Sequence, residues 1–211
     1  MIRIAVMVVG PVRTNCYIVY DAEAGECVLV DPGDDAAGIM RQCEKLGVKP
    51  SAILLTHGHF DHITAVPKLL ETYPGLPVYA YKEEAVLLED GRMNESSSVR
   101  RTVELRGVHY LEDREKLELL GETWELIATP GHTVGSCCYY IEDMAVLFSG
   151  DTLFCGDCGR TDLATGNTES ILHSIREALM KLPDEVNVLP GHEEMTTIGA
   201  ERRQNIVMRM R

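Results

Sequence analysis

The first quarter of the chain consists of short apolar runs separated by turn residues, a pattern that predicts strands joined by tight turns. Three strands are expected, at residues 2–9, 16–20 and 27–31. Gly10 and Pro11 mark the turn between the first two strands. A helix is expected at residues 34–47, because its first turn is acidic and Gly47 stands at its end.

The rest of the chain alternates strands and helices at longer intervals. Further strands are expected at residues 52–56, 77–81, 137–142, 145–149 and 185–189, with two more between residues 116 and 129 that turn at Gly121 and Glu122. Helices are expected at residues 62–73, 82–89 and 168–181, and from about residue 197. Because strands predominate, two sheets packed face to face with helices outside, an α+β sandwich, would bury the apolar faces. The periodicity alone also allows other mixed folds.

The motif THGHFDH at residues 56–62 follows a predicted strand and combines three histidines with an aspartate. Nearly half of the seven histidines in the chain lie in it. Alternate side chains of an extended chain point the same way, so His57 and His59 can bind one ion. Asp61 and His62 stand at the start of the next helix and face differently, which suits a second ion nearby.

Three more residues of ligand type follow predicted strands, and a glycine directly precedes each of them. They are His132 in TPGHTVGS, Asp151 in LFSGDTLF and His192 in NVLPGHEE. Glycine at such a position leaves the space beside an ion free and permits unusual dihedral angles. Strand ends are also where open sheets usually carry their binding sites. The repeated arrangement predicts that these loops meet at one end of the sheets.

The predicted metal ligands are therefore five histidines and two aspartates: His57, His59, Asp61, His62, His132, Asp151 and His192. The first ion would take the first two histidines of the motif together with His132. The second ion would take Asp61, His62 and His192, and Asp151 would bridge the two ions through its two carboxylate oxygens. Imidazole and carboxylate ligands fit zinc, iron or manganese, and such a site leaves a position open for substrate.

Each of these residues has an ordinary structural role as its alternative when it is taken singly. A histidine in a turn or an aspartate after a strand is more often a capping or hydrogen-bonded polar residue. The shared position after a strand and a glycine favours the metal interpretation for the set. His109 and His173 lack this setting, and His173 falls within a predicted helix, so both are expected to be structural.

The composition restricts the class of protein further. A chain of 211 residues suffices for one domain with a sizeable core, so a single domain over residues 1–211 is expected. The formal net charge of −13 disfavours nucleic acid and anionic membrane surfaces as partners. No stretch has the length of a membrane span, and the first residues lack a signal-peptide pattern, so a cytoplasmic location is expected. The seven cysteines are then expected to be reduced.

The ordered motifs HGHFDH, PGH, GD and PGH, preceded by TNCYIV and VDPG, resemble the signature of the metallo-β-lactamase superfamily over nearly the whole chain. The resemblance implies a four-layer αββα sandwich and assigns metal-ligand roles to the seven residues named above. It also implies that Asp31, in VDPG, supports the metal loops from behind the ligands.

The spacing is most similar to the short, single-domain form of the glyoxalase II branch. This resemblance implies a small-molecule substrate, a hydroxyacylglutathione-like thioester, whose carbonyl is attacked by a metal-bound hydroxide that Asp61 helps to orient. It implies two divalent ions, with zinc as the first expectation and iron or manganese as alternatives. Only 19 residues follow His192, so the helical domain with which glyoxalase II proper helps to hold glutathione is expected to be absent.

Three other functions remain open. Residues 150–166, GDTLFCGDCGRTDLATG, also resemble the persulfide dioxygenase branch, which holds a single iron. A lactonase needs the same site, because its substrate also presents an ester carbonyl. A metal-bound redox or stress-response protein without turnover would use Cys155 and Cys158, although two reduced cysteines in a loop are the simpler interpretation of CGDC.

Substrate contacts must come from the loops around the site. Arg160, in GRTD, is the candidate to bind a substrate carboxylate. An internal salt bridge with an acidic neighbour is the alternative for this side chain.

Overall fold

The computed structural model describes residues 1–210, so the predicted domain of residues 1–211 extends one residue beyond the described part. The described residues form two sheets of six strands each. The strands are β1 (Ile2–Val9), β2 (Thr14–Asp21), β3 (Glu26–Val30), β4 (Lys49–Leu54), β5 (Val78–Tyr81), β6 (His109–Leu111), β7 (Lys116–Leu119), β8 (Glu122–Ala128), β9 (Cys137–Ile141), β10 (Val146–Gly150), β11 (Asn187–Pro190) and β12 (Thr196–Thr197). The α-helices are α1 (Ala36–Leu46), α2 (Phe60–Ile63), α3 (Val66–Thr72), α4 (Ala85–Leu88), α5 (Thr168–His173) and α6 (Ile198–Gln204).

Both sheets are mixed, and their strand order follows the chain. The first sheet runs from β1 to β6, antiparallel over β1–β2–β3 and parallel from β3 onward. The second runs from β12 to β7 and is antiparallel except for the parallel pair of β10 and β11. As a result β8, β10 and β11 all point the same way, and the loops that follow them lie at one end of the second sheet.

The two sheets pack face to face and helices cover their outer faces. Tyr17 of the first sheet and Phe148 of the second meet between them at a ring separation of 5.3 Å, and Trp124 stacks on Phe148 at 5.5 Å. Apolar residues of α1 and α3 pack on the outer face of the first sheet, and those of α5 and α6 pack on the second. This arrangement confirms the predicted four-layer sandwich of the α+β class.

Helix α1 shows how local sequence sets the ends of an element. The Asp35 side chain accepts a hydrogen bond from the amide of Gly38, which satisfies a free donor of the first turn. Gly47 ends the helix in the left-handed conformation at φ 74°. The predicted helix at residues 34–47 is thus confirmed within two residues at each end.

The structure differs from the sequence prediction in places where short elements depend on their neighbours. The helix expected at residues 62–73 is divided into α2 and α3, and Pro67 in the first turn of α3 has no amide hydrogen to continue a helical ladder. Strands β6 and β12 were not predicted, because runs of three and two residues carry no periodicity of their own. They exist through pairing with β5 and β11.

The remaining expectations concern cysteines and membrane spans. All seven cysteines are free thiols, and five of them are buried: Cys16, Cys27, Cys43, Cys137 and Cys138. They therefore pack as small apolar side chains. Within residues 1–210, no helix is both long enough and apolar enough to cross a membrane.

Candidate metal centre

The loop after β4 supplies the first ligand-type side chains to the end of the sandwich. His57 and His59 lie in this loop and are buried, and His59 immediately precedes α2. Asp61 and His62 lie in α2, so that they face a different direction from the first two histidines. The predicted change of direction between the two pairs is therefore present.

The first group of side chains consists of His57, His59 and His132, which reaches them from the loop after β8. The Nδ1 atom of His59 lies 2.9 Å from the Nε2 atom of His132. The ring of His57 lies 5.0 Å from that of His59 and 4.7 Å from that of His132, measured between centroids. Each residue can offer one nitrogen within 4.8 Å of the others, a spacing that one ion can span.

The second group consists of Asp61, His62 and His192, which comes from the loop after β11. The Nε2 atom of His192 lies 3.2 Å from Oδ2 of Asp61 and 3.4 Å from Nε2 of His62. The Nε2 atom of His62 lies 3.6 Å from the same Asp61 oxygen. Two segments distant in sequence, α2 and the loop after β11, thus bring one carboxylate and two imidazoles to one point.

Asp151 lies between the two groups, on the loop that follows β10. Its Oδ2 atom is 3.6 Å from Nε2 of His132 and 3.5 Å from Nε2 of His192. Its Oδ1 atom is 3.4 Å from Nε2 of His62. One carboxylate therefore contacts both groups, which is the position a bridging ligand needs. All seven predicted ligand residues converge, and a further group of donor atoms, from His57, His62 and Asp151, crosses the predicted division.

The donor set fits a divalent metal centre. His57 Nε2, His59 Nε2 and Asp151 Oδ1 are buried and have no hydrogen-bond partner among the described residues. Buried polar atoms of this kind are rare and costly unless something binds them. Five imidazoles and two carboxylates are also the ligand types that zinc, iron and manganese share. The cluster of histidines and aspartates thus indicates a site for divalent metal.

The protonation states of the two groups differ. Burial, with added repulsion from neighbouring histidines, lowers the pKa of His59 to about 3 and the pKa of His57 well below its usual range. Both rings are neutral near pH 7, the form that binds metal. Burial opposes protonation of His62 as well, but the charges of Asp61, Asp151 and Asp31 outweigh it and raise the pKa of His62 to about 10. A cation at the second group would replace that proton.

Hydrogen bonds behind the cluster orient several of its rings. Asp31 Oδ2 lies 3.0 Å from His62 Nδ1, and the carboxylate also accepts bonds from the amide and hydroxyl of Thr56 at 2.8 and 2.6 Å. The carbonyl oxygen of Arg160 lies 2.7 Å from Nδ1 of His132. Because a carbonyl only accepts, Nδ1 of His132 carries the hydrogen and Nε2 is free to face the cluster. Asp31 thus occupies the supporting position that the family resemblance implies.

Two contacts near the cluster had no signal in the sequence. The hydroxyl of Thr14, at the start of β2, donates a hydrogen bond to Asp61 Oδ2 at 3.1 Å. The main-chain carbonyl of Arg160 was not expected to contact a histidine, since only its side chain has a distinctive chemistry. Both contacts join segments far apart in the chain, so no local pattern identifies them.

The three glycines that precede ligand-type residues are required for different reasons. A Cβ atom on Gly191 would lie 2.3 Å from Asp151 Oδ1 and 2.7 Å from Cε1 of His62, so this glycine keeps the cluster itself free. A Cβ atom on Gly150 would meet the Thr56 hydroxyl at 2.2 Å. Gly131 instead has φ 143° and packs against the main chain of α5. The prediction that glycine clears space beside an ion therefore holds directly for Gly191 alone.

A cavity of about 370 Å³ opens above the cluster. Apart from the cluster itself, its walls are formed by Val12, Phe60, Glu95, Phe154, Arg160, Leu163 and Glu193. The guanidinium of Arg160 is paired with Asp162 through contacts of 2.6 and 2.7 Å. The internal salt bridge considered from the sequence is thus present, and the positive charge of this side chain is already balanced.

The remaining histidines and the CGDC motif lie outside the cluster. His109 is exposed on β6 beside Tyr79, with ring centroids 5.3 Å apart, and His173 is exposed at the end of α5. Burial raises the pKa of Cys155, and it raises the pKa of Cys158 to about 11. A raised pKa disfavours the reactive thiolate form of both side chains.

Comparison with known proteins agrees with this architecture. The profile of the Metallo-beta-lactamase superfamily matches residues 9–192. The probable metallo-hydrolase YqgX of Bacillus subtilis is 39% identical over 94% of each chain. The hydroxyacylglutathione hydrolase GloC of Haemophilus influenzae is 32% identical over 96% of each chain.

Two solved structures share both the fold and much of the sequence. The BLEG-1 B3 metallo-beta-lactamase superimposes with a TM-score of 0.91 at 39% identity, covering 97% of this chain and 98% of that one. TTHA1623, solved in a di-iron-bound form, superimposes with a TM-score of 0.85 at 35% identity, covering 96% and 98% of the two chains. With its two-sheet fold and its cluster of metal-ligand side chains, the chain belongs to the metallo-beta-lactamase superfamily as an enzyme of the metallo-hydrolase type.

Proposed function

We propose that this protein is a thioester hydrolase that cleaves a small hydroxyacyl thioester with an activated water molecule. The observation that carries the proposal is the position of Asp151, which contacts both groups of the cluster directly beneath an open cavity. A carbonyl group entering that cavity meets both groups at once. One group can then act on the attacking water while the other acts on the carbonyl oxygen.

The seven residues of the cluster would hold two divalent ions, divided as described above. When bound, such ions lower the pKa of water from about 15.7 to about 7 and polarise a carbonyl oxygen. Hydrolysis adds water across the carbon–sulfur bond, so that the acyl carbon gains the oxygen and the sulfur leaves as a thiol. No serine or cysteine nucleophile is needed for these two bond changes.

Asp61 is the residue to which we assign the orientation of the attacking water. Burial acts to raise the pKa of Asp61, but the neighbouring His62 and His192 outweigh it and hold the pKa well below its usual range. The side chain is therefore an ionised acceptor at neutral pH. The Thr14 hydroxyl occupies Oδ2, which leaves lone pairs of the same carboxylate to accept a hydrogen bond from water.

The thioester class is supported by one relative in particular. GloC is named a hydroxyacylglutathione hydrolase, and it aligns with this chain over nearly the full length of both. The second candidate is β-lactam hydrolysis, which is favoured by the similarity to BLEG-1. Both reactions add water to a carbonyl, so the same cluster would serve either, and the walls of the cavity would decide between them.

The walls of the cavity favour a substrate with little negative charge. Four of the seven side chains around the cluster are apolar, and two of the other three are glutamates. The single arginine is neutralised by Asp162. A thiol carrier with several carboxylates would approach Glu95 and Glu193 without a free cation in these walls to bind it. We therefore propose a neutral or weakly charged carrier in preference to glutathione.

The test is a turnover assay on protein of known metal content. We expect about two ions per chain and hydrolysis of a panel of hydroxyacyl thioesters, which includes S-lactoylglutathione and a lactoyl thioester of a neutral thiol. The same preparation is offered a cephalosporin, a simple lactone and a persulfide with oxygen. A single iron with oxygen uptake and sulfite formation would replace the hydrolase by the dioxygenase, and turnover of the cephalosporin alone would replace the thioester by the β-lactam.

A further inference from the structure

A buried glutamate joins the two loops that carry the first group of histidines. Glu84 ends a short 3₁₀ helix, Lys82–Glu84, that follows β5, and its side chain has no accessible surface. No cation of residues 1–210 pairs with it, and the groups that donate hydrogen bonds to it are all neutral. A carboxylate buried in this way is costly unless several hydrogen bonds compensate for its lost hydration.

Three hydrogen bonds offset part of this cost, and they come from two different loops. The amide of Gly58 donates to Oε1 of Glu84 at 2.6 Å. The amide of Gly135 and the hydroxyl of Thr133 each donate to Oε2 at 2.9 Å. The Thr133 hydroxyl is held in turn by Ser136 at 2.7 Å. One carboxylate thus uses each of its oxygens for a different loop.

These donors stand beside the first group in the chain. Gly58 lies between His57 and His59, and Thr133 directly follows His132. The first loop extends from the first sheet and the second loop extends from the second sheet. The carboxylate therefore bridges the two halves of the sandwich at the point where the first group must assemble.

The main chain is shaped for this contact. A Cβ atom on Gly135 would lie 2.1 Å from the backbone nitrogen of Glu84, so no larger residue fits there. A Cβ atom on Gly58 would lie 3.0 Å from Leu87 and 3.2 Å from Oε1 of Glu84. Both glycines allow the two loops to press directly against the helix that carries the carboxylate.

We infer that Glu84 is a positioning residue that fixes the two loops so that His57, His59 and His132 can bind one of the two ions together. This carboxylate does not contact the second group. Asp31 and Thr14 hold the second group by hydrogen bonds instead. Loss of the carboxylate should therefore lower the affinity for one ion and leave the affinity for the other unchanged. The inference rests on the metal centre of the proposed function but not on the identity of its substrate.

The experiment compares Glu84→Gln with Glu83→Gln, a change in the preceding and exposed residue of the same short helix. Glutamine keeps the size of the side chain but replaces one acceptor oxygen with a donor that faces amide or hydroxyl donors. Cobalt(II) is titrated into each metal-free protein and followed by calorimetry and by its visible absorption. We expect the affinity for one ion to fall about 10- to 100-fold in Glu84→Gln, with the other ion unchanged, and both unchanged in Glu83→Gln.

A second readout needs no metal. Amide hydrogen exchange of the metal-free protein should show faster exchange at Gly58 and Gly135 in Glu84→Gln, with the amide of Thr56 unaffected. Should Glu84→Gln not fold, Glu84→Asp, which keeps the charge but shortens the reach, is measured in the same way. An equal loss of affinity for both ions, or no loss for either ion, would overturn the inference. If the affinity for one ion falls selectively but the protein hydrolyses no thioester, the inference about Glu84 is upheld and the proposed substrate class is wrong.

Discussion

The Nδ1 atom of His59 lies 2.9 Å from the Nε2 atom of His132, although 73 residues separate the two in the chain and they extend from different sheets. Because the carbonyl of Arg160 holds the hydrogen of His132 on Nδ1, the Nε2 atom of His132 accepts in this contact. Burial lowers the pKa of His59 to about 3, so that His59 is neutral near pH 7. Both rings could bind a divalent ion, and binding through Nδ1 of His59 would require the hydrogen of that ring to lie on Nε2. This pair is therefore the most direct indication of the first metal position.

Removal of His132 should cost one ion. In His132→Ala we expect the metal content to fall by one ion per chain and kcat to fall by about 10²–10³-fold, because one polarising group at the carbonyl is lost. Elemental analysis and initial rates on the thioester panel measure the two effects. His109→Ala, at an exposed position outside the cluster, is the matched control and should change neither. Full metal content in His132→Ala would remove this residue from the ligand set.

Asp31 should act on the second group from behind. In Asp31→Asn the partner of His62 Nδ1 loses its charge, and one of the two acceptors for Thr56 becomes a donor group. We expect metal affinity to fall about 10- to 100-fold at one ion. Calorimetric titration measures it, with Asp21→Asn at the far end of β2 as control. Unchanged affinity in Asp31→Asn would mean that packing alone orients His62.

Gly191 should tolerate no side chain. The Cβ atom of Gly191→Ala would enter the space of Asp151 and His62, so the bridging position should be displaced and metal content reduced. Gly121→Ala provides the control. Its Cβ atom would meet nothing within 4 Å, but the alanine would have to adopt the left-handed φ of 78°. We expect the control to lose about 1–2 kcal/mol of unfolding free energy without losing metal. Metal content that is equal in the two variants would contradict this role.

Glu84 should make the metal-free protein less stable as the pH rises. Burial raises the pKa of Glu84 from 4.5 to about 7, against the effect of its three hydrogen bonds. The folded protein then binds the proton more tightly than the unfolded chain does. This contribution to stability is present below pH 4.5 and is lost as the pH rises through about 7.

Urea unfolding in the presence of a chelator measures this contribution. Between pH 4.5 and pH 8, the unfolding free energy of the wild type should fall relative to that of Glu84→Gln by up to about 3 kcal/mol. The comparison removes the contributions of the histidines and aspartates, which both proteins share. Parallel pH profiles for the two proteins would show that Glu84 keeps an ordinary pKa.

The charge of the cavity walls should set the preference for the thiol carrier. In the double variant Glu95→Gln and Glu193→Gln, we expect kcat/KM for S-lactoylglutathione to rise about 5-fold, since each removed charge contributes at most about 1 kcal/mol in water-exposed positions. The neutral thioester should respond little. The gain should shrink at high salt. A gain that is equal for both substrates would point to altered packing instead of charge.

Much of this protein was determined by local sequence. Short apolar runs separated by turn residues predicted most of the strands, because both signals are local to the segment that forms the strand. The ligand residues were identifiable because each follows an apolar strand and, in three of the four loops, a glycine. The convergence of their loops depends in addition on sheet pairing, which makes β8, β10 and β11 point the same way.

Only the tertiary structure decided how the cluster is supported. The carbonyl of Arg160 orients His132, the Thr14 hydroxyl contacts Asp61, and Glu84 ties the two histidine loops together. A main-chain carbonyl is present in every residue, so the sequence cannot mark the one that contacts His132. Glu83 and Glu84 are adjacent glutamates, and the sequence does not show that only Glu84 is buried. Such roles arise from which segments pack together, and that depends on long-range contacts that no local pattern encodes.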